Sequence, residues 1–303
     1  MEEEKLKYFE KYREIIRDFD NFLETLKTPQ PYWFRVNTLK IQEEKLIERL
    51  ETKGFRVEKF GGINAYRILE MPVKHPGATV EYSLGYYYIQ DLSSMAPVLA
   101  LDPQPGERIL DMAAAPGSKS TMIAELMNNS GTIVANDISV DRIKSLAANI
   151  ERLGITNIIV TKKDARNANF GGKFDKILLD APCSGEGTFR KNPWGFQGAD
   201  ERGHSILGRQ QKMMLRNAVR HLSEDGIIVY STCTYSPIEN ESVVKYGVEN
   251  LNLKVLKIEL SIPHLEGVKE WDGEKYEMYE KCIRIYPHLV DTGGMFIAVL
   301  AKQ

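Results

Sequence analysis

The chain has no uninterrupted apolar run long enough to span a bilayer, and its start, Met1-Glu2-Glu3-Glu4-Lys5, lacks the basic and apolar segments of a signal peptide. These absences predict a soluble, cytoplasmic protein. Cysteine is scarce: three residues in 303, an odd number with no Cys-x-x-Cys, which argues against a disulfide framework and a structural zinc site and predicts no metal. Positive charge is not in excess either, since the net charge is −2 and the pI near 6.3, so any contact with nucleic acid has to rest on local charge. No repeat or low-complexity tract appears. The dinucleotide fingerprint Gly-x-Gly-x-x-Gly is missing, and Gly117-Ser118-Lys119-Ser120 lacks the Walker A spacing.

What is present is a regular alternation. Strand-like runs at 107–112, 132–137, 158–162, 175–180 and 226–232 alternate with helical runs, which predicts a Rossmann-like, doubly wound α/β sheet, with a final apolar strand over Met295–Leu300 after Gly293-Gly294. Ahead of it, residues 4–27 read as one amphipathic helix stopped by Thr28-Pro29-Gln30-Pro31. Then comes a small α+β unit: strand-like residues 34–39, a helix over 42–53 closed by Gly54, and strands at 55–60 and 66–69. The spacing divides the chain into an amino-terminal domain, 1–90, and a catalytic domain, 91–303. The small unit lacks the aromatic signature of a single-strand-binding sheet, so it reads equally as an RNA-binding or a packing subdomain.

Two of the three cysteines follow strand-like runs directly: Cys183 in Asp180-Ala181-Pro182-Cys183-Ser184-Gly185 and Cys233 in Ser231-Thr232-Cys233-Thr234-Tyr235. Loops at the carboxyl ends of parallel strands hold ligands and catalysts in open α/β sheets, so two thiols there point to chemistry. Acids end four successive runs: Asp111, Asp137, Asp164 and Asp180. Topology brings such residues together, and an acid after the second strand is placed to accept from two ribose hydroxyls of a bound nucleoside. The small-residue turn Ala113-Ala114-Ala115-Pro116-Gly117-Ser118-Lys119 lets a ligand approach the backbone. A basic stretch, Arg190 and Lys191 followed by Arg202, Arg209, Lys212, Arg216 and Arg220, lies beside the first cysteine loop.

In this order, Phe34-Arg35-Val36-Asn37-Thr38-Leu39-Lys40, Tyr88-Ile89-Gln90-Asp91, Ala-Ala-Pro-Gly, Asp-Ala-Pro-Cys-Ser-Gly, Ser-Thr-Cys-Thr-Tyr and Gly293-Gly294-Met295-Phe296 resemble the Nol/Nop/Sun family of S-adenosylmethionine-dependent RNA 5-methylcytosine methyltransferases, in its short archaeal type. Ala113, Ser118 and Ser120 depart mildly from its usual Cys, Gly and Thr. The resemblance implies a methyltransferase sheet, mostly parallel with an antiparallel last strand. It implies that Ala113, Ala114, Ala115, Pro116, Gly117, Ser118 and Lys119 wrap the cofactor's methionine portion, that Asp137 holds the ribose with Arg142 beside it, and that Asp164 contacts the adenine. Cys233 would attack the base, Cys183 would assist later, and Asp180 would lie between cofactor and cytosine.

That chemistry requires covalent activation, because cytosine C5 is a poor nucleophile: a thiolate added at C6, with Asp180 holding a proton to N3, makes C5 enamine-like. The thiol pKa should be lowered by the cationic cofactor and Lys119, Asp180 should be kept protonated by burial, and the target base must leave its stack. Arg190, Lys191 and the helix bearing Arg209 and Arg216 are expected to line the RNA path, with Trp194 and the tyrosine cluster 82–88 stacking on bases or packing in a core. The expected partner is RNA, transfer RNA before ribosomal RNA because the chain is short, with the protein acting as a monomer. Rival readings are a ribosomal RNA enzyme, a non-catalytic RNA-binding assembly factor, and a DNA cytosine methyltransferase, for which Thr232-Cys233-Thr234 would be superfluous. An adenine or glutamine methyltransferase would carry Asn/Asp-Pro-Pro-Tyr at the fourth strand.

Overall fold

The computed structural model describes residues 2–303, with side chains from Glu4 onward. In the small unit, β1 (Trp33–Val36), β2 (Arg56–Lys59), β3 (Ala65–Glu70) and β4 (Tyr87–Ile89) form an antiparallel sheet in the order β2-β3-β1-β4, backed by a helix over Glu43–Thr52. Phe34, Leu46, Leu50, Phe55, Tyr66 and Tyr87 form its core. Tyr87 and Tyr88 of the tyrosine cluster are therefore core residues, Tyr82 and Tyr86 pack against that core, and stacking on nucleic-acid bases is excluded for the buried pair.

The large sheet contains β5 (Arg108–Asp111), β6 (Thr132–Asn136), β7 (Ile158–Thr161), β8 (Phe174–Asp180) and β9 (Leu222–Thr232), which pair with one another in parallel. A meander follows: β10 (Leu253–Leu256), β11 (Leu265–Glu266), a separate hairpin of β12 (Glu270–Trp271) and β13 (Glu274–Lys275), then β14 (Ile283–Ile285) and β15 (Met295–Lys302). The order is β11-β14-β15-β9-β8-β5-β6-β7, with β10 on β15 and β15 antiparallel to β9. The chain runs outward from β5 to β7, then returns to lay β8 on the other side of β5. That reversal leaves a crevice at the carboxyl ends of β5 and β8, where open α/β sheets bind ligands. Ile109, Leu110, Ile177, Leu178 and Val229 are wholly buried, as a sheet covered on both faces requires.

One element departs from expectation. The stretch 4–27 is not one helix but a short α-helix, a 3₁₀ segment over Lys7–Tyr12 and a second helix over Phe19–Leu26, with Asp18 left-handed at φ 53° between them. Asp tolerates that conformation better than most residues. The break lets Phe9, Tyr12 and Phe22 turn together onto Phe189, Tyr235 and Tyr286 of the large domain. Its apolar periodicity is real, but its partners lie in the segments around the large sheet. Burial of each such aromatic is worth roughly 1.5–3 kcal/mol, more than the helical continuity given up.

The small sheet is fastened to the large one by polar groups on β1 and just beyond. Arg35, 1% exposed, forms an ion pair with Glu125 and donates to Thr121 Oγ1 at 2.8 Å and Gln90 Oε1 at 2.9 Å. The Asn37 amide donates to the Gly85 and Leu153 carbonyls at 2.8 and 2.9 Å. No helix among the described residues is long and apolar enough to cross a membrane.

Candidate active site

Residues distant in sequence meet because β8 and β9 are paired in register, Asp180 opposite Ser231. The loops leaving the two strands therefore start side by side. Cys183 Sγ and Cys233 Sγ lie 3.4 Å apart, both half-buried. Their titrations split. A hydrogen bond from the Cys183 thiol lowers the pKa of Cys233 against the effect of burial, with Lys119 and Lys191 assisting. The same hydrogen bond, with burial and the charge of Glu239, pushes Cys183 well up. Of the two thiols, Cys233 is therefore the one shifted toward thiolate and Cys183 the one shifted away from it.

Lys119 Nζ donates to Asp180 Oδ2 at 2.7 Å, and Ser231 Oγ donates to Asp180 Oδ1 at 2.8 Å. Sequence reasoning expected burial to keep a proton on Asp180; instead both oxygens accept hydrogen bonds, one from an ammonium group, and the side chain is 27% exposed. Lys119 was expected to help activate Cys233. It does, but the larger contribution comes from Cys183, whose role as donor was not foreseen.

The turn after β5 is held from several sides. Ala114 N donates to Asn136 O at 2.7 Å, and Gly117, at φ +106°, starts the helix Ser118–Leu126. A Cβ at Gly117 would meet Leu146 Cδ1 at 2.8 Å, so the turn needs glycine on both grounds. Asp137 is 2% exposed, with Oδ1 accepting from Ser139 N at 2.9 Å and Oδ2 from Ala115 N at 3.3 Å. Arg142 reaches both the Ala115 carbonyl and, at 3.4 Å, Asp137 Oδ2. Asp111 is buried, accepts from Ser120 Oγ at 2.6 Å, and is pushed up to about 6 by burial, with the charge of Asp180 adding to the shift. Asp164, beyond β7, is gripped by Arg166, whose Nε and Nη2 donate to it at 2.9 and 2.6 Å and lower its pKa. The small residues 113–115 bring bare backbone to the crevice, and a carboxylate waits at the end of β6. This donor set fits the methionine and ribose portions of a nucleoside cofactor.

Other expected site residues lie elsewhere. Arg190 is not on an RNA path: it is 6% exposed and donates to Thr28 Oγ1, to the Thr28 and Pro29 carbonyls and to Asp291, tying three segments together. Lys191, Arg202, Arg209, Arg216 and Arg220 are exposed, and Trp194 is 66% exposed. Gly187, four residues after Cys183, donates to the Cys233 carbonyl at 2.8 Å and accepts from Gly294 N at 2.9 Å; a Cβ there would lie 2.5 Å from Gly294 O. Three residues that sequence reasoning missed stand behind the thiols: Glu186, His204 and Glu239, all buried. The only local signal was an acid, Glu186, immediately after Cys-Ser-Gly.

An open α/β sheet with a crevice that fits a nucleoside cofactor, beside a pair of thiols, points to the class of cofactor-dependent transferases. Comparison with known proteins narrows it. Residues 98–301 match the model of the 16S rRNA methyltransferase RsmB/F family, and residues 6–92 match the N-terminal domain of 16S rRNA methyltransferase RsmF. A tRNA (cytosine(49)-C(5))-methyltransferase of Pyrococcus abyssi is 40% identical over 98% of this chain and 96% of its own length. A mouse 28S rRNA (cytosine-C(5))-methyltransferase and the fission-yeast 25S rRNA (cytosine-C(5))-methyltransferase nop2 are 38% and 39% identical over 93% of the chain. The chain spans only 36% and 48% of those two relatives. A methyltransferase homolog from Pyrococcus horikoshii superposes with TM-score 0.83 at 35% identity, covering 93% of this chain and 90% of that one. NSun6 from the same organism, solved with SFG, superposes with TM-score 0.83 at 27% identity, covering 93% and 94%. The chain belongs to the RsmB/F methyltransferase family, the Nol/Nop/Sun group that its motifs resemble.

Proposed function

We propose that this protein methylates C5 of cytosine in RNA with S-adenosylmethionine, through a covalent bond between Cys233 and cytosine C6. The observation that carries the reading is the 3.4 Å contact between Cys183 and Cys233, which lowers the pKa of Cys233 and raises that of Cys183. A DNA cytosine enzyme would take its nucleophile from the Pro-Cys loop and would leave Thr232-Cys233-Thr234 superfluous.

When bound, S-adenosylmethionine supplies an electrophilic methyl group. The Cys233 thiolate adds to C6, forming an S–C6 bond and moving the C5–C6 π electrons onto C5, which becomes nucleophilic. Asp180 holds the N3 edge of the base. Its ion pair with Lys119 opens or takes up a proton as the base arrives, because a bare carboxylate cannot donate to N3. Once C5 carries the new methyl group, a base takes the C5 proton, and the electrons of that bond re-form the double bond and expel Cys233 as thiolate. Cys183 serves as that base after its own proton has passed to solvent: the hydrogen bond to Cys233 and the charge on Cys233 that raise its pKa are gone while Cys233 is bonded to C6. Ala113 to Lys119, Asp137 and Arg142 hold the cofactor, and Asp164 reaches the adenine with the lone pairs Arg166 leaves free.

The substrate is assigned as transfer RNA, met by a protein monomer. The Pyrococcus abyssi tRNA enzyme, 40% identical over 98% of this chain and 96% of its own length, supports that assignment. A second reading, ribosomal RNA, is favoured by the RsmB/F family match. The test is to incubate the protein with methyl-labelled S-adenosylmethionine and unmodified transfer RNA or ribosomal RNA, then digest the RNA to nucleosides. The proposal expects label in 5-methylcytidine from transfer RNA. Label only from ribosomal RNA replaces the substrate, and no label with cofactor bound turns the reading to an RNA-binding assembly factor.

A further inference from the structure

Behind the thiols, the two catalytic loops are joined by a buried polar cluster that the reaction itself does not use. Ser184 and Thr234, each next to a catalytic cysteine, share a hydrogen bond of 2.6 Å. From the Cys233 side, Thr234 Oγ1 and Tyr235 N donate to Glu186 Oε2 at 2.8 and 2.9 Å. From the Cys183 side, Ser184 N donates to Glu239 Oε2 at 3.1 Å, and Gln211 donates to the same oxygen at 2.8 Å. Two wholly buried carboxylates thus each hold one thiol loop.

His204 spans them. Its Nδ1 lies 2.7 Å from Glu239 Oε1 and its Nε2 3.4 Å from Glu186 Oε1. Lys11 Nζ lies 3.1 Å from the same Nε2, a contact that fits the tautomer in which Nε2 accepts and Nδ1–H donates to Glu239. Lys11 also faces Glu186 at 3.5 Å, and Tyr8 and Tyr12 donate their hydroxyls to Glu186 Oε1 at 2.5 and 2.8 Å. Every one of these donors comes from the 3₁₀ segment Lys7–Tyr12, more than 170 residues away in sequence. An aromatic cluster alone would have docked that segment; aiming three polar side chains at one buried carboxylate does more.

We propose that the segment Lys7–Tyr12 and His204 are positioning elements of the active site: through Glu186 and Glu239 they set the separation of the two thiol loops, so that Cys183 donates to Cys233. This rests on the assignment of Cys233 as nucleophile, but it concerns the ionisation of a thiol and is testable without RNA. The groups facing Cys233 are Cys183, Asp180, Lys119 and Lys191; those facing His204 are Glu186, Glu239, Lys11 and Tyr8.

The experiment measures the pH dependence of Cys233 alkylation by iodoacetamide, read by peptide mass spectrometry, in the full-length protein and in Tyr12→Phe, Lys11→Met, His204→Ala and His204→Gln, beside the melting temperature. Phe22→Leu, in the same aromatic cluster but with no polar group to donate to Glu186, is the packing control. The proposal expects Lys11→Met and His204→Ala to raise the half-alkylation pH by about one unit, a tenfold loss of thiolate at a given pH. Tyr12→Phe moves it less, His204→Gln partly restores it, and Phe22→Leu lowers the melting temperature without moving it. An unmoved profile in both Lys11→Met and His204→Ala, or the same displacement in Phe22→Leu, overturns the proposal. Lys11 is partly exposed, so Lys11→Met decides the matter even if His204→Ala does not fold. A displaced profile in a protein that methylates nothing would leave this inference standing and remove the proposed function instead.

Discussion

Cys183 and Cys233 stand 3.4 Å apart, and their contact shifts the two sulfurs in opposite directions, Cys233 down and Cys183 up, because one proton serves both. The relationship gives each thiol its character without a histidine in contact. Replacing Cys183 by alanine removes the donor, so the pKa of Cys233 rises and less of it is thiolate at neutral pH. Alkylation of Cys233 in Cys183→Ala is expected to need a higher pH than in the wild type. An unchanged profile would assign the activation to Lys119 and Lys191.

Asp137→Asn keeps the turn but removes the negative charge from the end of β6. Hydrogen bonds to a charged group contribute about 1.5–3 kcal/mol, so cofactor affinity should fall roughly 10- to 100-fold. Calorimetric titration with S-adenosylmethionine checks this, and an unaltered Kd would take Asp137 out of the site.

Asp111 makes stability depend on pH in the direction opposite to a salt-bridged acid. Its folded pKa of about 6 lies above its unfolded value near 3.8, so the folded state binds the proton more tightly. The stabilisation is complete below about pH 4 and is lost as pH rises through 6, by up to about 3 kcal/mol for the size of the shift. Measured by urea unfolding, the stability of the wild type minus that of Asp111→Asn should fall between pH 4 and pH 7. A difference that is flat or rises across this window contradicts the assignment.

Arg190 and the exposed arginines of the helix Glu201–His221 should separate cleanly. Arg190→Ala leaves Asp291 Oδ1 and three carbonyl and hydroxyl oxygens without this donor, although Arg67 still holds Asp291 Oδ2, and it should cost about 2–4 kcal/mol of stability. Arg209→Glu with Arg216→Glu should leave the melting temperature within a few degrees and weaken RNA binding, with a shallower dependence on salt. Unchanged RNA affinity in the double variant would move the RNA path off this helix.

The parallel sheet, the strand-end acids and both cysteine loops were legible because they are written locally, in apolar runs of strand length ended by Asp or by Cys with small neighbours. The rest is set by partners distant in sequence. The periodicity of residues 4–27 shows an apolar face but not that Phe189 and Tyr235 bend it, and Arg190 has the composition of a solvent-facing residue until Thr28 and Asp291 arrive. Glu186, His204 and Glu239 are single polar residues whose partners lie mostly tens of residues or more away, and no spacing rule reaches across that distance. The strands β10, β11 and β14 are two to four residues long, too short for alternation to register.

The central claim, that Cys233 is the nucleophile on cytosine C6, is tested most directly by RNA containing 5-fluorocytidine. Fluorine at C5 cannot leave as a proton does, so the adduct is trapped after methyl transfer. With S-adenosylmethionine present, the account predicts a covalent protein–RNA species mapped by mass spectrometry to Cys233, absent in Cys233→Ala and retained in Cys183→Ala. An adduct on Cys183, or one that survives Cys233→Ala, would contradict it.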